Sequence, residues 1–212
     1  RFLKGKKTTD YLTMLKLSLI IALLFAMTLN SLPDAAAQNR RQSVDLLVLG
    51  GTIVTMDQTR RVIDDGGIAI LNGRIVAIGT RAEIERSYTS RQRLSAEGKV
   101  LTPGLINGHT HVPMVLFRGL ADALDLQEWL TKYIFPAEAK NVTEQFVRVG
   151  ARLGLAEMIR GGTTTYCDMY YFEDAIADET AKAGVRGVLG ETVIDFPVAD
   201  NKTYAEGLAY VE

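Results

Sequence analysis

Between Val44 and Ile78 the apolar positions come in short runs broken by glycine, the pattern of half-buried strands. Leu46–Leu49 and Thr52–Thr55 flank Gly50-Gly51, which predicts a hairpin. Ile68–Leu71 and Arg74–Ile78 flank Asn72-Gly73, the strongest short hairpin signal a sequence carries. Residues 81–88 read as a short amphipathic helix or turn. From Leu105 the pattern changes to short apolar strands separated by helix-length segments. The strands predicted are Leu105–His109, Thr163–Cys167 and Arg186–Gly190. One helix is predicted over Leu126–Tyr133, ended by Pro136. A second covers Asn141–Arg160, where Asn141 and Glu144 have capping spacing and Gly161-Gly162 stop it. A third covers Glu173–Ala183, with acids at its start, Lys182 near its end and Gly184 as its cap. A loop from Glu191 to Asn201 leads into a further helix. Strands alternating with helices predict a parallel sheet in an α/β fold.

Ahead of these elements the pattern is different. Arg1, Lys4, Lys6, Lys7 and Lys16 form a positive leader, Leu17–Leu29 is an apolar run, and Ala35-Ala36-Ala37 has the small-residue form of a cleavage site. Residues 1–37 therefore read as a secretory signal peptide removed before Gln38, with Met14 as an alternative start. The apolar run is short for a membrane span of about 20 residues. The expected product is periplasmic or secreted, without stable membrane association after cleavage. Asn141 and Asn201 lie in Asn-x-Thr sequons, which matter only in a glycosylating host.

Composition narrows the picture modestly. The chain has 212 residues, is 47% hydrophobic and carries a net charge of -1, so it can bury a core and shows no electrostatic footprint for nucleic acid. A single cysteine, Cys167, excludes an internal disulfide framework. It reads as a buried strand residue with nothing beside it to make it a nucleophile.

The candidate chemistry concentrates in Leu101-Thr-Pro-Gly-Leu-Ile-Asn-Gly-His-Thr-His111, which holds both histidines of the chain. In a strand, His109 and His111 share one face, about 7 Å apart, with Thr110 on the other. Two imidazoles on one face can converge on a divalent metal ion. A bare His-x-His is weak by itself, since most isolated histidines are surface or satisfied core residues. Burying two titratable rings at a strand end is costly unless something compensates.

The motif Pro103-Gly-Leu-Ile-Asn-Gly-His-Thr-His111 resembles the first barrel strand of the amidohydrolase superfamily. Ser95–Gly104 is similar to that family's approach from a small β-domain. Leu116-Phe-Arg-Gly-Leu120, Glu128-Trp-Leu130, Phe135-Pro-Ala-Glu-Ala-Lys140 and Glu157–Thr164 resemble its branch of S-adenosylhomocysteine/5-methylthioadenosine deaminases and chlorohydrolases acting on triazines. The resemblance runs from about residue 44 to the end. It implies the N-terminal part of a (β/α)8 TIM-type barrel, residues 104–212, preceded by a small, incomplete β-sandwich domain, residues 38–103. A complete barrel takes about 250 residues by itself. The chain is therefore expected to be an incomplete product, with unpaired sheet edges and missing core.

The resemblance also implies roles. His109 and His111 would hold one divalent metal ion, Zn2+. Trp129 would line the substrate pocket, its indole offering an apolar face to a purine. Glu138 would bind ribose hydroxyls, a carboxylate being able to accept two hydrogen bonds from a vicinal diol. Helix packing for Trp129 and a solvated helix-start acid for Glu138 are the plain alternatives. Asp168, Tyr170 and Tyr171 follow the second strand, and of these Asp168 and Tyr170 are weaker candidates. The expected reaction is hydrolytic deamination of an adenosine-type small molecule by metal-activated water, with ammonia leaving. The remaining metal ligands and the acid and base would lie beyond Glu212, so no catalytic residue is assigned within the chain, and the chain alone is expected to be inactive. Chlorohydrolysis of triazines, deamination of another nucleobase and a non-catalytic exported remnant are the competing readings. A homo-oligomer is left open.

Overall fold

The computed structural model describes residues 41–211. The expected signal peptide lies outside the described residues. Among them, no helix is long and apolar enough to cross a membrane. The described residues divide into two compact units, one up to Thr102 and one from Pro103.

The first unit contains strands β1 (Gln42–Ser43), β2 (Leu46–Leu49), β3 (Thr52–Val54), β4 (Val62–Ile63), β5 (Gly66–Leu71) and β6 (Arg74–Thr80). Helix α1 (Arg81–Ser87) and strands β7 (Tyr88–Thr89), β8 (Gln92–Ser95) and β9 (Val100–Leu101) follow. Three sheets form, in the orders β6-β5-β2-β8, β4-β3-β9 and β1-β7. The Asn72-Gly73 hairpin is as the sequence predicts. Leu71 pairs with Arg74, and both turn residues have positive φ, 52° and 70°. The Gly50-Gly51 hairpin is not formed. β2 pairs with β5 and β8, whereas β3 pairs with β4 and β9. The two glycines carry the chain from one sheet to the other, both at positive φ, 84° and 74°. A side chain on Gly51 would meet the carbonyl oxygens of Ala96 and Lys99 at 2.4 and 2.5 Å, so the crossing requires glycine. Helix α1 starts at a capping box in which the Thr80 hydroxyl accepts from the Glu83 amide and the Glu83 carboxylate accepts from the Thr80 amide. Val44, Leu47, Leu49, Ala69 and Ile84 make the core of this unit.

The second unit opens with strand β10 (Leu105–Thr110) and a 3-10 turn (Val112–Phe117). Helix α2 (Leu126–Trp129), a π turn (Leu130–Ile134), α3 (Phe135–Asn141) and α4 (Glu144–Arg160) follow. Then come β11 (Thr163–Tyr170), α5 (Glu173–Ala183), β12 (Arg186–Glu191) and α6 (Tyr204–Val211). The strands form a parallel sheet in the order β10-β11-β12. Its covered face buries Tyr166 beneath a core that includes Val147, Ala151 and Leu155 of α4 and Ala175 and Ile176 of α5.

Of the predicted boundaries that move, three lie beside the candidate site. Pro136 does not end a helix; it sits in the first turn of α3. Proline lacks an N–H and its ring presses on the carbonyl four residues back, and the widened π turn just before it relieves both demands. Asn141 does not cap α4; its side-chain amide donates back to the carbonyl of Ala137, and Thr143 caps instead, accepting from the Phe146 amide. Val142 is extended and separates the two helices, so only Thr143 stands beside the free amides of α4. β11 runs three residues further than expected, to Tyr170, which brings Asp168 into the ladder.

Candidate functional site

β10 positions the two histidines. Its ladder with β11 is irregular between Asn107 and Thr110 and resumes at the pair Thr110–Asp168. Beyond it the chain leaves the strand at His111, whose φ is -132° and ψ 73°. The imidazoles of His109 and His111 meet edge to face, ring centroids 5.1 Å apart. His111 Nδ1 lies 2.5 Å from the carbonyl oxygen of Met169. A carbonyl only accepts, so Nδ1 carries the proton and Nε2 is left as the free nitrogen.

The segment after His111 is pressed from below by α4. Gly150 and Gly154 face it so closely that a side chain at Gly150 would meet the Pro113 carbonyl oxygen at 2.6 Å, and one at Gly154 would meet Val112 Cγ1 at 2.7 Å. Two glycines one helical turn apart let helix and turn touch backbone to backbone.

His111, Trp129 and Glu138 line one cavity of about 200 Å3, together with Phe135, Tyr170 and Tyr171. The sequence places these residues on three separate elements, and only the fold brings them together. His109 is exposed and is not part of that lining. Glu138 is no solvated helix-start acid: it is buried, accepting from the Tyr170 hydroxyl at 2.9 Å and from the Tyr171 hydroxyl at 3.5 Å. Burial pushes its carboxyl above the usual range, against the two phenols, which favour the charged form. The phenols themselves are pushed up, first by burial and then by the Glu138 charge. The adjacent Tyr170-Tyr171 pair at the end of β11 was the sequence signal for this clamp.

Asp168 is buried, and its Oδ1 accepts from the Val112 amide at 2.9 Å and the Thr110 hydroxyl at 2.6 Å. Cys167, expected to be buried, is exposed instead. It alternates with Tyr166 and Asp168 on β11 and so faces away from the helices.

One feature escaped the sequence reading. At the N-terminus of α5, Phe172 sits at φ 55° with its amide donating to Asp200 Oδ2 at 2.7 Å, and the Glu173 amide donates to Glu191 Oε2 at 3.1 Å. The Glu173 carboxyl is buried with neither oxygen hydrogen-bonded. Burial and the nearby Asp168, Glu191 and Asp200 charges push it up to about 8.

The paired imidazoles suit a divalent ion as a half-site. Among the described residues, no group of three or more His, Cys, Asp or Glu side chains stands ready to hold one. A parallel α/β unit whose first strand ends in paired imidazoles beside an aromatic and acidic cavity has the layout of a small-molecule site. The chain belongs to the amidohydrolase family, whose model matches residues 100–212.

Within it, the chain is 48% identical over 169 residues to a 5-methylthioadenosine/S-adenosylhomocysteine deaminase of Syntrophus aciditrophicus, covering 80% of this chain and 38% of that protein. It is similar to the zinc-bound crystal structure of an adenosine deaminase from Xanthomonas campestris, with a TM-score of 0.78 and 37% identity over 81% of this chain and 39% of that one. A zinc-complexed atrazine chlorohydrolase from Arthrobacter aurescens shares the fold at a TM-score of 0.64 and 24% identity, over 71% of this chain and 36% of that one. The chain thus spans less than two-fifths of the length of these relatives.

Proposed function

We propose that this chain is the N-terminal part of a metal-dependent aminohydrolase acting on an adenosine-type nucleoside, of the 5'-methylthioadenosine or S-adenosylhomocysteine kind. The observation that carries the reading is the shared cavity of His111, Trp129 and Glu138. Its chemistry suits a nucleoside: an indole face for a purine, and a buried carboxylate with lone pairs left for a vicinal diol. The two phenols on Glu138 hold that carboxylate in place before a ligand arrives, which lowers the ordering cost of binding. The likeness to the deaminase relatives supports the same substrate class.

His109 and His111 would hold the ion, zinc in this reading, and His111 would do so through Nε2 because its Nδ1 is engaged. When bound, a divalent ion supplies the Lewis acidity that makes water a nucleophile near neutral pH. The chain's own part is to seat the purine against Trp129, fix the ribose on Glu138 and keep that wall of the site dry. The second unit is read as the opening βα units of a (β/α)8 barrel and the first as an incomplete β-sandwich. Residues 1–37 are read as an export signal, which N-terminal sequencing of the exported product tests by starting, or not, at Gln38.

Trp129 is the single indole of the chain, so its fluorescence reports the cavity directly. Titration with 5'-methylthioadenosine changes that fluorescence saturably. The 2'-deoxy analogue, or the variant Glu138→Ala, weakens binding about tenfold or more, the loss of a hydrogen bond to a charged group. No response at millimolar nucleoside, or equal affinity for ribose and deoxyribose forms, overturns the reading. A triazine lacks a diol, so a site preferring triazines would show no dependence on Glu138.

A further inference from the structure

The two ends of β10 and β11 are joined in an unusual way. The backbone ladder between them falters at Gly108 and His109 and stops at the pair Thr110–Asp168. Past that point one carboxylate continues the connection. Asp168 Oδ1 takes the Thr110 hydroxyl on one side of His111 and the Val112 amide on the other. The Thr110 hydroxyl also lies 2.9 Å from the Cys167 carbonyl oxygen, which ties it to the same strand. Met169, next along β11, offers the carbonyl on which His111 Nδ1 rests. The Thr110 hydroxyl on one side of His111, the Val112 amide on the other and one nitrogen of the ring are thus all held by Cys167, Asp168 and Met169. Asp168 is 2% exposed, so the bonds it makes are shielded from competition by water.

We propose that Asp168 is a positioning residue for His111: by holding Thr110 and the Val112 amide it keeps Nδ1 on the Met169 carbonyl and reserves Nε2 for a divalent cation. The inference rests on the reading of His109 and His111 as ligands, and it adds a residue that acts through His111 without touching the ion. A ligand whose second nitrogen is fixed in this way has one tautomer and one ring orientation, and loss of such support costs about 10- to 100-fold in metal affinity. The alternative is that Asp168 only packs and closes the sheet, in which case His111 would keep its tautomer without it.

The test uses the whole chain with 15N-labelled histidine and two readouts. The first is the tautomer of each imidazole in metal-free protein, from long-range proton–nitrogen correlations. The second is Zn2+ affinity by calorimetry. In the wild type, His111 shows protonated Nδ1. Asp168→Ala moves it to a mixture of tautomers and weakens Zn2+ by about 10- to 100-fold. Asp168→Asn, whose amide oxygen can take the same two donors, restores the tautomer and most of the affinity. Thr110→Val, which leaves Asp168 in place and keeps the fold if Asp168→Ala does not, gives a smaller shift in the same direction. If folded Asp168→Ala and Thr110→Val both keep the wild-type tautomer and affinity while His111→Ala loses Zn2+, the inference fails and the ligand reading stands. If His111→Ala binds Zn2+ as the wild type does, the ligand reading fails, and the tautomer readout alone decides what Asp168 does.

Discussion

Glu173 shows how far one side chain can depart from its sequence expectation. An acid at the first position of a helix reads as a favourable partner for the helix dipole. Here the same residue is turned inward, buried beside Asp168, Glu191 and Asp200, and the amides of Phe172 and Glu173 are taken by Asp200 and Glu191 instead. Its carboxyl, ordinarily at 4.5, is pushed up to about 8, so the folded chain holds a proton that the unfolded chain releases. Stability is therefore full below the ordinary carboxylate range and declines as pH rises toward 8, by up to about 1.4 kcal/mol per pH unit. Urea denaturation of the chain at pH 5 and pH 8 should show that loss, and Glu173→Gln should reduce it, the remainder coming from Glu191, which burial also pushes up, to about 7. An unchanged pH dependence in that variant would mean the buried proton sits elsewhere. Glu138 is the second instance: of its two sequence readings, ribose ligand or solvated helix-start acid, burial removes the second, and its partners Tyr170 and Tyr171 lie more than thirty residues away in sequence.

At the scale of elements, α4 and the 3-10 turn after His111 form the contact on which the candidate site stands. Periodicity predicts α4 and its apolar face, but it does not say why Gly150 and Gly154 are in the middle of a helix, where each costs about 1 kcal/mol relative to alanine. The turn explains them, because Pro113 and Val112 occupy the space their side chains would need. Gly150→Ala should improve helix propensity and still destabilise the chain by about 1–3 kcal/mol, because the clash is with backbone that cannot rotate away. Thermal or urea unfolding checks the sign; a stabilised variant would show that the turn yields. The displaced predictions at Pro136 and Asn141 have the same origin. Capping and proline rules locate a helix end to within a few residues, and which residue faces a free amide depends on how the next helix is aimed.

At the scale of the whole molecule, the second unit covers one face of its parallel sheet and, among the described residues, leaves the other open. Ile106, Met169 and Val188 are 76%, 46% and 63% exposed on that uncovered side. A parallel sheet ordinarily has both faces buried. The chain should therefore bind a dye such as ANS strongly, and Val188→Lys should reduce that binding and raise solubility without loss of helix content. A chain that binds no dye would mean this face is covered by other means. The order of elements, the βα alternation and the Asn72-Gly73 hairpin were legible because each depends on neighbours within a few residues. The Gly50-Gly51 crossing was not, since a turn that joins two sheets and a turn that closes a hairpin use the same residues.

The sequence by itself determined the kind of elements, their order, the paired histidines at the end of β10 and the family to which the chain belongs, because periodicity, turn chemistry and motif are local properties. Only the tertiary structure decided that His111, Trp129 and Glu138 share one cavity, that Tyr170 and Tyr171 clamp Glu138, and that Asp168 holds the Thr110 hydroxyl and the Val112 amide on either side of His111. Those facts depend on which residues meet across long sequence separations. Such meetings are set by the packing of α4 and α5 on the sheet, and no short stretch of the chain encodes them alone.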